Sequence, residues 1–235
     1  MFTSHLDAVP LVYGHRGASA EAPENTLAAF ALARHQGAHG VELDVRRCAD
    51  GDMALHHDAA LPDGRTIVEL TRADLPATSC TLAEALDACE GMVVNIEIKN
   101  VPVDPDHDPE CRLADAVVAL LQERGGRDRV IVSSFGMPTV DRVRALDPSI
   151  PTGFLTFVDP MGPQAIELAV RHGHQAIHPH VATVDGAYVA LAHEHGLAVN
   201  VWTVDDPDQI RQLAAWGVDG IVTNVPGVAL AALRG

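Results

Sequence analysis

The chain has 235 residues, of which 47% are hydrophobic and only 4% aromatic, and it carries a formal net charge of -16. Its length favours one domain, and its composition is that of a globular protein with a core of small aliphatic side chains. The negative charge argues against nucleic acid and anionic membrane surfaces as partners, because such partners are bound by basic faces. An anionic substrate would therefore need a local reversal of this field.

The cysteines and the hydrophobic segments bear on where the protein works. The four cysteines form no CxxC pair and no zinc-type spacing with histidine, which indicates buried thiols in a reducing compartment. Residues 1–14 show no basic region followed by an apolar run, so no signal peptide is expected. No stretch approaches the ~20 apolar residues that span a membrane. We therefore expect a cytoplasmic protein without stable membrane association.

The first motif lies where a short apolar run, residues 11–13, ends at the tetrapeptide GHRG, residues 14–17. Glycines on both sides of a His-Arg pair allow a tight turn and the close approach of a ligand, while an imidazole can exchange a proton and a guanidinium can bind phosphate. A helix with Asn25 or Thr26 as its cap is expected to follow. The motif indicates phosphate chemistry, although a His-Arg pair in an ordinary surface loop fits these residues alone equally well.

The second strand is predicted over residues 41–45, where apolar residues alternate with Glu42 and Asp44. Successive side chains of a strand point to opposite faces, so the apolar residues should face the helices and both carboxylates the other side. The Asp-Gly pair at 50–51 predicts a hairpin, from which residues 52–57 return as a short strand.

Beyond the hairpin, strands and helices alternate to the end of the chain. Residues 59–80 are rich in turn signals and are predicted to form a small insertion over the C-terminal face of the barrel. The predicted helices are 81–89, 111–123, 138–146, 163–171, 185–195, 207–215 and 227–234, and the predicted strands are 92–98, 130–134, 152–155, 176–178, 198–202 and 220–222. With the first two strands, these make eight strand-helix units. This pattern favours an α/β fold with residues 1–235 in a single (β/α)8 TIM barrel over an open doubly wound sheet.

Polar side chains at the C-terminal strand ends form the candidate site. Strand alternation sends three acids and one base into the barrel, and these are Glu42, Asp44, Glu97 and Lys99. Buried carboxylates are costly to desolvate unless a cation compensates, and an all-oxygen set suits Mg²⁺ or Ca²⁺, also Mn²⁺, but not zinc. The alternative is a buried Glu-Lys ion pair with unrelated surface acids. Lys99 argues against this alternative, because it is the only lysine among 16 Lys and Arg residues and so departs from the preference of the chain for arginine.

Several further polar residues lie at predicted strand ends. His178 and His180 bracket a proline, and either can line the pocket or serve a structural role. Trp202 can stack on a substrate group or plug the mouth. His56 should point away from its neighbouring histidine. The hydroxyls of residues 133–134 have no identifiable base and are expected to form hydrogen bonds within loops.

The ordered motifs resemble the glycerophosphodiester phosphodiesterase family. They are GHRG with PENT, VELDV, the Asp-Gly hairpin ending in HHD, NIEIK, NVWTV and DGIVTN, and they extend from about residue 11 to the C-terminus. Members of this family are barrels with a small insertion after the second strand. They hydrolyse glycerophosphodiesters to glycerol 3-phosphate and an alcohol with a divalent metal, which implies the same fold, activity, small-molecule substrate and cofactor for this chain.

The resemblance also implies two catalytic histidines, three metal ligands and two phosphate contacts. The matching catalytic histidines are His15 and His57. The matching metal ligands are Glu42, Asp44 and Glu97, and the matching phosphate contacts are Arg16 and Lys99. His178 and Trp202 complete the set as candidate substrate contacts. Which histidine is the acid stays open, as does the choice between direct attack by water and attack by a glycerol hydroxyl that gives a cyclic phosphate.

The insertion departs from the family pattern. Members often carry a Leu-x-Arg-Thr-Thr stretch after the His-Asp pair and an Ile-Pro before the second helix, whereas this chain reads AALPDGRTI and SCTLAEAL. Because this segment lies over the pocket in the family, the departure bears on the leaving alcohol. Two alternatives remain: phosphodiester cleavage of lysophospholipids through a cyclic phosphate, as in the similar sphingomyelinase D enzymes, and a barrel that binds a phosphodiester without cleaving it.

Overall fold

Eight parallel strands close into a barrel inside a ring of helices in the computed structural model, which describes residues 9–157 and 162–234. The strands are β1 (Leu11–His15), β2 (Gly40–Arg47), β3 (Met53–Leu55), β4 (Val93–Ile98), β5 (Arg129–Ser134), β6 (Thr152–Thr156), β7 (Ala176–Pro179), β8 (Ala198–Val201) and β9 (Gly220–Thr223). The helices are α1 (Leu27–His35), α2 (Leu82–Ala88), α3 (Arg112–Glu123), α4 (Met137–Leu146), α5 (Gly162–His172), α6 (Gly186–Glu194), α7 (Pro207–Trp216) and α8 (Pro226–Arg234). The predicted TIM barrel is confirmed.

The barrel closes because β1 pairs with both β2 and β9. All pairings around the barrel are parallel, and among the described strands β3 alone lies outside it, antiparallel to β2. In this register His15 lies beside Glu42, and Asp44 lies beside Glu97. The polar side chains of β1, β2 and β4 are therefore brought to the same end of the barrel wall.

Alternation along β2 decides which side chains enter the barrel. Val41, Leu43 and Val45 are fully buried between the sheet and the helices, in one cluster with Phe30 of α1. Burial of each such side chain contributes roughly 1.5–3 kcal/mol. A shift of one residue would turn all three into the barrel interior and the acids toward the helices. The apolar face therefore fixes the register and leaves the intervening carboxylates facing the barrel interior, as predicted.

The segment 59–80 packs on the β2–β3 hairpin rather than in the barrel core. It contains two short 3₁₀ turns, Ile67–Glu69 and Arg72–Asp74. A small apolar cluster joins it to the hairpin, and its buried members are Cys48, Ala54, Leu61, Ile67 and Leu75. The segment thus has a core of its own. That it covers the C-terminal face of the barrel stays a prediction.

The structure at the start of α1 shows which of the two predicted cap residues is the cap. The hydroxyl of Thr26 accepts a hydrogen bond from the Ala29 N–H at 3.2 Å, so Thr26 is the cap. Asn25, with a φ of 55°, turns its amide elsewhere and is buried. Its contacts belong to the candidate active site.

No helix in the described part of the chain is long and apolar enough to cross a bilayer. The four cysteines are buried and form no disulfide with one another. Residues 1–8, which belong to the stretch examined for a signal peptide, lie outside the described residues.

The turn after β1 depends on Gly17. Its φ of +89° lies in the left-handed region that favours glycine, and a Cβ at this position would lie 2.6 Å from the backbone of Ala29 in α1. Such a contact is far shorter than van der Waals distance. The close approach of this turn to α1 therefore requires a residue without a side chain.

We expect Gly17→Ala to lower the free energy of unfolding by about 3–5 kcal/mol, because alanine adds a clash with α1 to the strain of a positive φ. Gly51→Ala is the matched control, since its φ is also +89° but no described atom lies within 4 Å of its Cβ position. The control should lose about 1–2 kcal/mol. Urea denaturation measures both values, and equal losses would show that contact with α1 does not constrain position 17.

Candidate active site

A pocket opens at the C-terminal ends of the barrel strands. It is lined by His15, Glu42, Asn95, Glu97, Leu155, His178, Trp202 and Val222. Five of the nine residues predicted from the sequence to form the site thus line one pocket. The remaining four, Arg16, Asp44, His57 and Lys99, make the contacts described below.

Three carboxylates meet on one side of this pocket. One oxygen each of Glu42, Asp44 and Glu97 lies within 4.8 Å of the other two, and all three residues are buried. Burial raises the pKa of Glu42 well above its usual value, and the charges of Asp44 and Glu97 raise it further. Burial likewise raises the pKa of Glu97 against the opposing effect of Lys99. The cluster therefore lacks the positive charge needed to keep all three acids ionised.

Lys99 and Arg16 supply part of that positive charge. The Lys99 ammonium donates to Glu97 Oε1 at 2.5 Å and lies 2.9 Å from Asp44 Oδ1. Arg16 Nε lies 3.1 Å from Asp44 Oδ2, while its terminal nitrogen donates to Glu24 at 2.8 Å. Burial alone would raise the pKa of Asp44, but Lys99 and Arg16 outweigh burial and hold it well below its usual range. The Glu-Lys ion pair of the alternative interpretation exists, but its acids are gathered around it rather than scattered over the surface.

The acidic cluster offers ligands for a cation. Glu42 Oε1 accepts no hydrogen bond from any described residue, and Asp44 Oδ1 has only the ion-pair contact with Lys99. A buried carboxylate oxygen without a donor, such as Glu42 Oε1, is unfavourable unless a cation lies beside it. Because the set contains oxygen alone, it fits Mg²⁺, Ca²⁺ or Mn²⁺ better than a softer ion.

Hydrogen bonds from the GHRG turn and from Asn25 orient two of these acids. The Arg16 N–H donates to Glu42 Oε2 at 3.0 Å. The Asn25 side-chain amide donates to Asp44 Oδ2 at 2.8 Å, and its oxygen accepts from the Asp44 N–H at 3.1 Å. Sequence reasoning considered Asn25 only as a helix cap. The available signal was Thr26, which is a sufficient cap and leaves the asparagine free for another role.

His15 is oriented by the loop after β9. Its Nδ1 lies 2.7 Å from Asn224 Oδ1. The Asn224 amide nitrogen donates to Asp205 at 2.6 Å, so the amide oxygen must face His15 and the proton must be on Nδ1. Nε2, which lies 4.0 Å from Glu42 Oε2, is then a free proton acceptor at the acidic cluster. Burial, followed by the charge of Arg16, lowers the pKa of His15 and favours this neutral form.

His57 lies at the open edge of the pocket, two residues after β3. Its side chain is 38% exposed, and its Nδ1 donates to Asp58 Oδ1 at 2.7 Å, a hydrogen bond that lowers the pKa of Asp58. His57 is close enough for its charge to oppose the effect of burial on Asp44 and Glu97. His56 instead directs Nδ1 to the backbone oxygen of Asp58 at 2.9 Å. The two neighbouring histidines therefore differ in their surroundings.

Arg46 fixes the backbone of His57. Its guanidinium is 3% exposed and donates to the His57 carbonyl oxygen from Nε at 2.9 Å and from a terminal nitrogen at 2.7 Å. The same guanidinium binds Asp104 and Asp106, in the loop between β4 and α3, at 2.7 to 2.9 Å. Strand alternation places Arg46 on the same face as Glu42 and Asp44, but no local pattern indicates its contacts with the β4–α3 loop.

His178 lies deep in the pocket wall. It is only 1% exposed, and its Nε2 accepts from the side-chain amide of Asn200 at 3.0 Å. Burial lowers the pKa of His178 to about 3, so the ring is neutral and can offer an N–H but not a charge to a ligand. Of the two possibilities considered for His180, the structure supports a structural role, because its Nδ1 accepts from the Ala182 N–H at 3.2 Å.

Aromatic rings form the other half of the mouth. They are Phe135, Phe157, His180 and Trp202, which follow β5, β6, β7 and β8, with neighbouring centroids 4.6 to 5.9 Å apart. Trp202 also donates from Nε1 to the His178 carbonyl oxygen at 2.8 Å. The mouth is therefore divided into a charged half, at β1, β2 and β4, and an aromatic half, at β5 to β8.

The two serines at the end of β5 form hydrogen bonds within the fold. Ser133 Oγ donates to Asn95 Oδ1 at 2.9 Å, and Ser134 Oγ donates to the Ile98 carbonyl oxygen at 2.7 Å. Both serines are fully buried. These contacts agree with the structural role predicted for them.

A larger cavity lies at the opposite end of the barrel. It has a volume of about 780 Å³ and is lined by residues at the N-terminal strand ends, among them Leu11, Arg129 and Pro151. None of the nine predicted site residues lines it. Since the active sites of such barrels lie at the C-terminal face, the acidic pocket is the candidate active site despite its smaller size.

At the C-terminal face of this fold, a free imidazole nitrogen lies beside buried acids and the basic side chains that pair with them. This arrangement places the protein among the (β/α)8-barrel enzymes. A sequence model of the glycerophosphoryl diester phosphodiesterase family matches residues 15–228. The chain therefore belongs to this family of phosphoric diester hydrolases.

Individual relatives are similar over nearly the whole chain. A glycerophosphodiester phosphodiesterase of Caldanaerobacter subterraneus subsp. tengcongensis is 28% identical over 95% of this chain and 98% of its own length. One of Bacillus altitudinis is 30% identical, over 93% and 96%. The solved structure of an Oleispira antarctica phosphodiesterase in complex with the product sn-glycerol-3-phosphate matches 97% of this chain and 98% of its own, with a TM-score of 0.87 and 28% identity.

We expect Arg46→Gln to lower the free energy of unfolding by about 3–5 kcal/mol, because it leaves the carboxylates of Asp104 and Asp106 without their buried partner. Arg47→Gln is the matched control, since the neighbouring side chain is partly exposed, and it should lose less than about 1 kcal/mol. Urea denaturation of both variants measures the difference. A similar loss in both would contradict a specific role for Arg46 in joining the hairpin to the β4–α3 loop.

Proposed function

We propose that this protein hydrolyses glycerophosphodiesters to glycerol 3-phosphate and an alcohol. The observation that carries the proposal is that three buried carboxylates, two cationic side chains and the free Nε2 of His15 lie close together at one pocket of a family member. The Oleispira antarctica phosphodiesterase supports it, because glycerol 3-phosphate is the product in that complex.

In this proposal Glu42, Asp44 and Glu97 hold a divalent cation, with Mg²⁺, Ca²⁺ and Mn²⁺ as candidates. When bound, such a cation supplies Lewis-acid stabilisation of the phosphate charge. Arg16 and Lys99 lie beside the same acids and bind the remaining phosphate oxygens. The local positive charge explains how a chain with a net charge of -16 accepts an anionic substrate.

The hydrogen bonds of the two histidines support different roles for them. His15 donates from Nδ1 to Asn224, so its Nε2 can accept a proton from the attacking hydroxyl and act as the base. His57 donates from Nδ1 to Asp58, which orients its ring, and from the open edge of the pocket it gives a proton to the departing alcohol in this proposal. A base at this position serves direct attack by water and attack by a neighbouring glycerol hydroxyl equally.

The aromatic half of the mouth supports contacts with the organic part of the substrate, with Trp202 and His178 in the adjoining wall. It also favours a second candidate, the cleavage of lysophospholipids, because Phe157 is 48% exposed and offers apolar surface. The segment 59–80 is proposed as a further part of the rim. The buried thiols support a reducing, cytoplasmic compartment for the enzyme.

Phosphorus NMR of the products separates the candidate functions. Purified protein with Mg²⁺, Ca²⁺ or Mn²⁺ would be incubated with glycerophosphocholine, glycerophosphoglycerol and lysophosphatidylcholine. Glycerol 3-phosphate from the first two supports the main proposal, and a cyclic phosphate from the third supports the second candidate. No product from any substrate with any of the three ions would contradict both and leave a binding barrel.

We expect His15→Gln and His57→Gln each to lower kcat at least ~100-fold, the usual scale for a positioned proton donor or acceptor. His56→Gln is the matched control, because it changes the same residue type at the adjacent position, and it should keep kcat within about threefold of wild type. The same NMR assay measures all three variants. A larger loss in His56→Gln than in His57→Gln would overturn the assignment of His57.

We expect chelator treatment to abolish turnover and Mg²⁺, Ca²⁺ or Mn²⁺ to restore it, since three buried acids need a cation. Glu42→Gln should bind the ion more weakly and lose most activity. Because this substitution removes a buried carboxyl whose pKa is already raised by burial and by the neighbouring acids, the metal-free variant should be as stable as wild type or more stable. Full turnover in the presence of chelator would contradict the metal assignment.

A further inference from the structure

A second group of metal-type side chains lies between α4 and α5, outside the barrel. It consists of Asp141 in α4, His172 at the end of α5 and His174 two residues later. One ligand atom from each lies within 4.8 Å of the others. None of these residues lines the active-site pocket, and the proposed phosphodiester cleavage makes no use of them.

The distances within this group are close to those of a metal site. Asp141 Oδ2 lies 2.8 Å from His172 Nδ1, and Asp141 Oδ1 lies 3.3 Å from His174 Nε2. Ligand atoms around a tetrahedral zinc ion are about 3.3–3.5 Å apart, as bond lengths near 2.1 Å require. Small side-chain adjustments would therefore bring the three ligands to bonding distance.

The tripeptide His172-Gly173-His174 aligns the two imidazoles. Gly173 has a φ of +76°, which turns the chain sharply at the end of α5. The two rings are stacked as a result, with an interplanar angle of 10° and centroids 6.2 Å apart. Two histidines separated by one residue thus present their nitrogens on the same side, toward Asp141.

Hydrogen bonds around His174 favour the tautomer that a metal needs. The Gln175 amide nitrogen donates to the Gly173 carbonyl, so its oxygen faces Thr152 and accepts from the Thr152 hydroxyl at 3.2 Å. The Thr152 oxygen is then the acceptor for His174 Nδ1 at 2.9 Å. The proton is therefore on Nδ1, and Nε2 carries a lone pair.

This lone pair faces two electron-rich atoms. Asp141 Oδ1 and the sulfur of Met137 lie 3.3 Å and 3.2 Å from His174 Nε2. Met137 and Asp141 are four residues apart on α4 and so share one face of the helix. Asp141 Oδ1 also accepts from His172 Nδ1 at 3.0 Å, so the carboxylate has a donor in the ion-free group. The imidazole nitrogen and the sulfur have none from each other, and a cation between these three atoms would be bound by all of them.

We propose that Asp141, His172 and His174, with the Met137 sulfur close by, form a second metal site for a borderline divalent transition-metal ion, of which zinc is the expected one. Two imidazoles, one carboxylate and a thioether suit zinc better than Mg²⁺ or Ca²⁺, which prefer oxygen ligands alone. The Thr152 hydroxyl supports the buried ligand from behind, as partners of metal-bound histidines commonly do.

The site would stabilise the outer layer of the barrel. It joins α4 to the end of α5, across the start of β6. His172 and Asp141 are 32% and 36% exposed, so the ion can enter from solvent. Arg144, whose guanidinium donates to the Gly173 carbonyl at 2.9 Å, adds a positive charge nearby and limits the affinity.

Metal titration of the chelator-treated full chain tests the proposal. We expect Co²⁺ to give the intense visible absorption of a four-coordinate site with nitrogen ligands, and Zn²⁺ to displace it. Zn²⁺ at a hundredfold excess over Kd should raise Tm by roughly 5–10 °C. His172→Gln and Asp141→Asn should each weaken binding at least ~100-fold and remove both effects, with phosphodiester cleavage unchanged.

Two controls separate this site from other metal ligands. His193→Gln is the first control. His193 also lies 2.8 Å from an aspartate, Asp219, but no second histidine joins this pair among the described residues, so the Co²⁺ spectrum should stay unchanged. Glu42→Gln weakens the acidic cluster and should leave it unchanged as well. The proposal is overturned if wild-type protein shows no such absorption, which would leave a His-Asp-His hydrogen-bonded group. It is equally overturned if Glu42→Gln, but not His172→Gln, removes the absorption.

Discussion

The mutual repulsion of Glu42, Asp44 and Glu97 inside the barrel is the constraint on which the rest of the site depends. Water solvates carboxylates far better than a barrel interior does, and the three acids approach within 4.8 Å of one another. Lys99 and Arg16 offset part of this cost, which is why Asp44 remains ionised while the pKa of Glu42 is raised. Hydrophobic burial on the outer face of β2 holds the acids in place against this repulsion. The fold thus stabilises a site that would not assemble by itself.

The residues that support the site from behind make contacts as specific as those of the residues that line it. Asn25 orients Asp44, Asn224 sets the tautomer of His15, and Arg46 fixes the backbone at His57. Each acts through one or two defined hydrogen bonds rather than through general packing. Asn25 and Asn224 come from two separate loops and Arg46 from the end of β2, so the barrel brings distant parts of the chain to a common edge.

The sequence predicted the barrel well because its signals are local. The alternation in β2 needs only five consecutive residues, and the hydrophobic spacing of the helices needs about ten. The acidic cluster was also predictable, since alternation determines the direction in which Glu42 and Glu97 point. By contrast, the contacts of Arg46 with residues 104 and 106 join positions about sixty residues apart. Such pairs depend on the path of a loop, which no local pattern encodes. The same holds for Asp141 and His172, which neighbour each other only after α4 and α5 have packed.

The two halves of the mouth come from different parts of the chain. The charged half is built by residues before position 100, and the aromatic half by residues after position 134, while Asn224 supports His15 from a distant part of the chain. Under the proposed function, substitutions in the second segment can therefore change the contacts with the organic part of the substrate without altering the acids and bases of the first segment. New substrate preferences can arise on such a barrel through changes near its later strands, while the strands at the start of the chain keep the same charged groups.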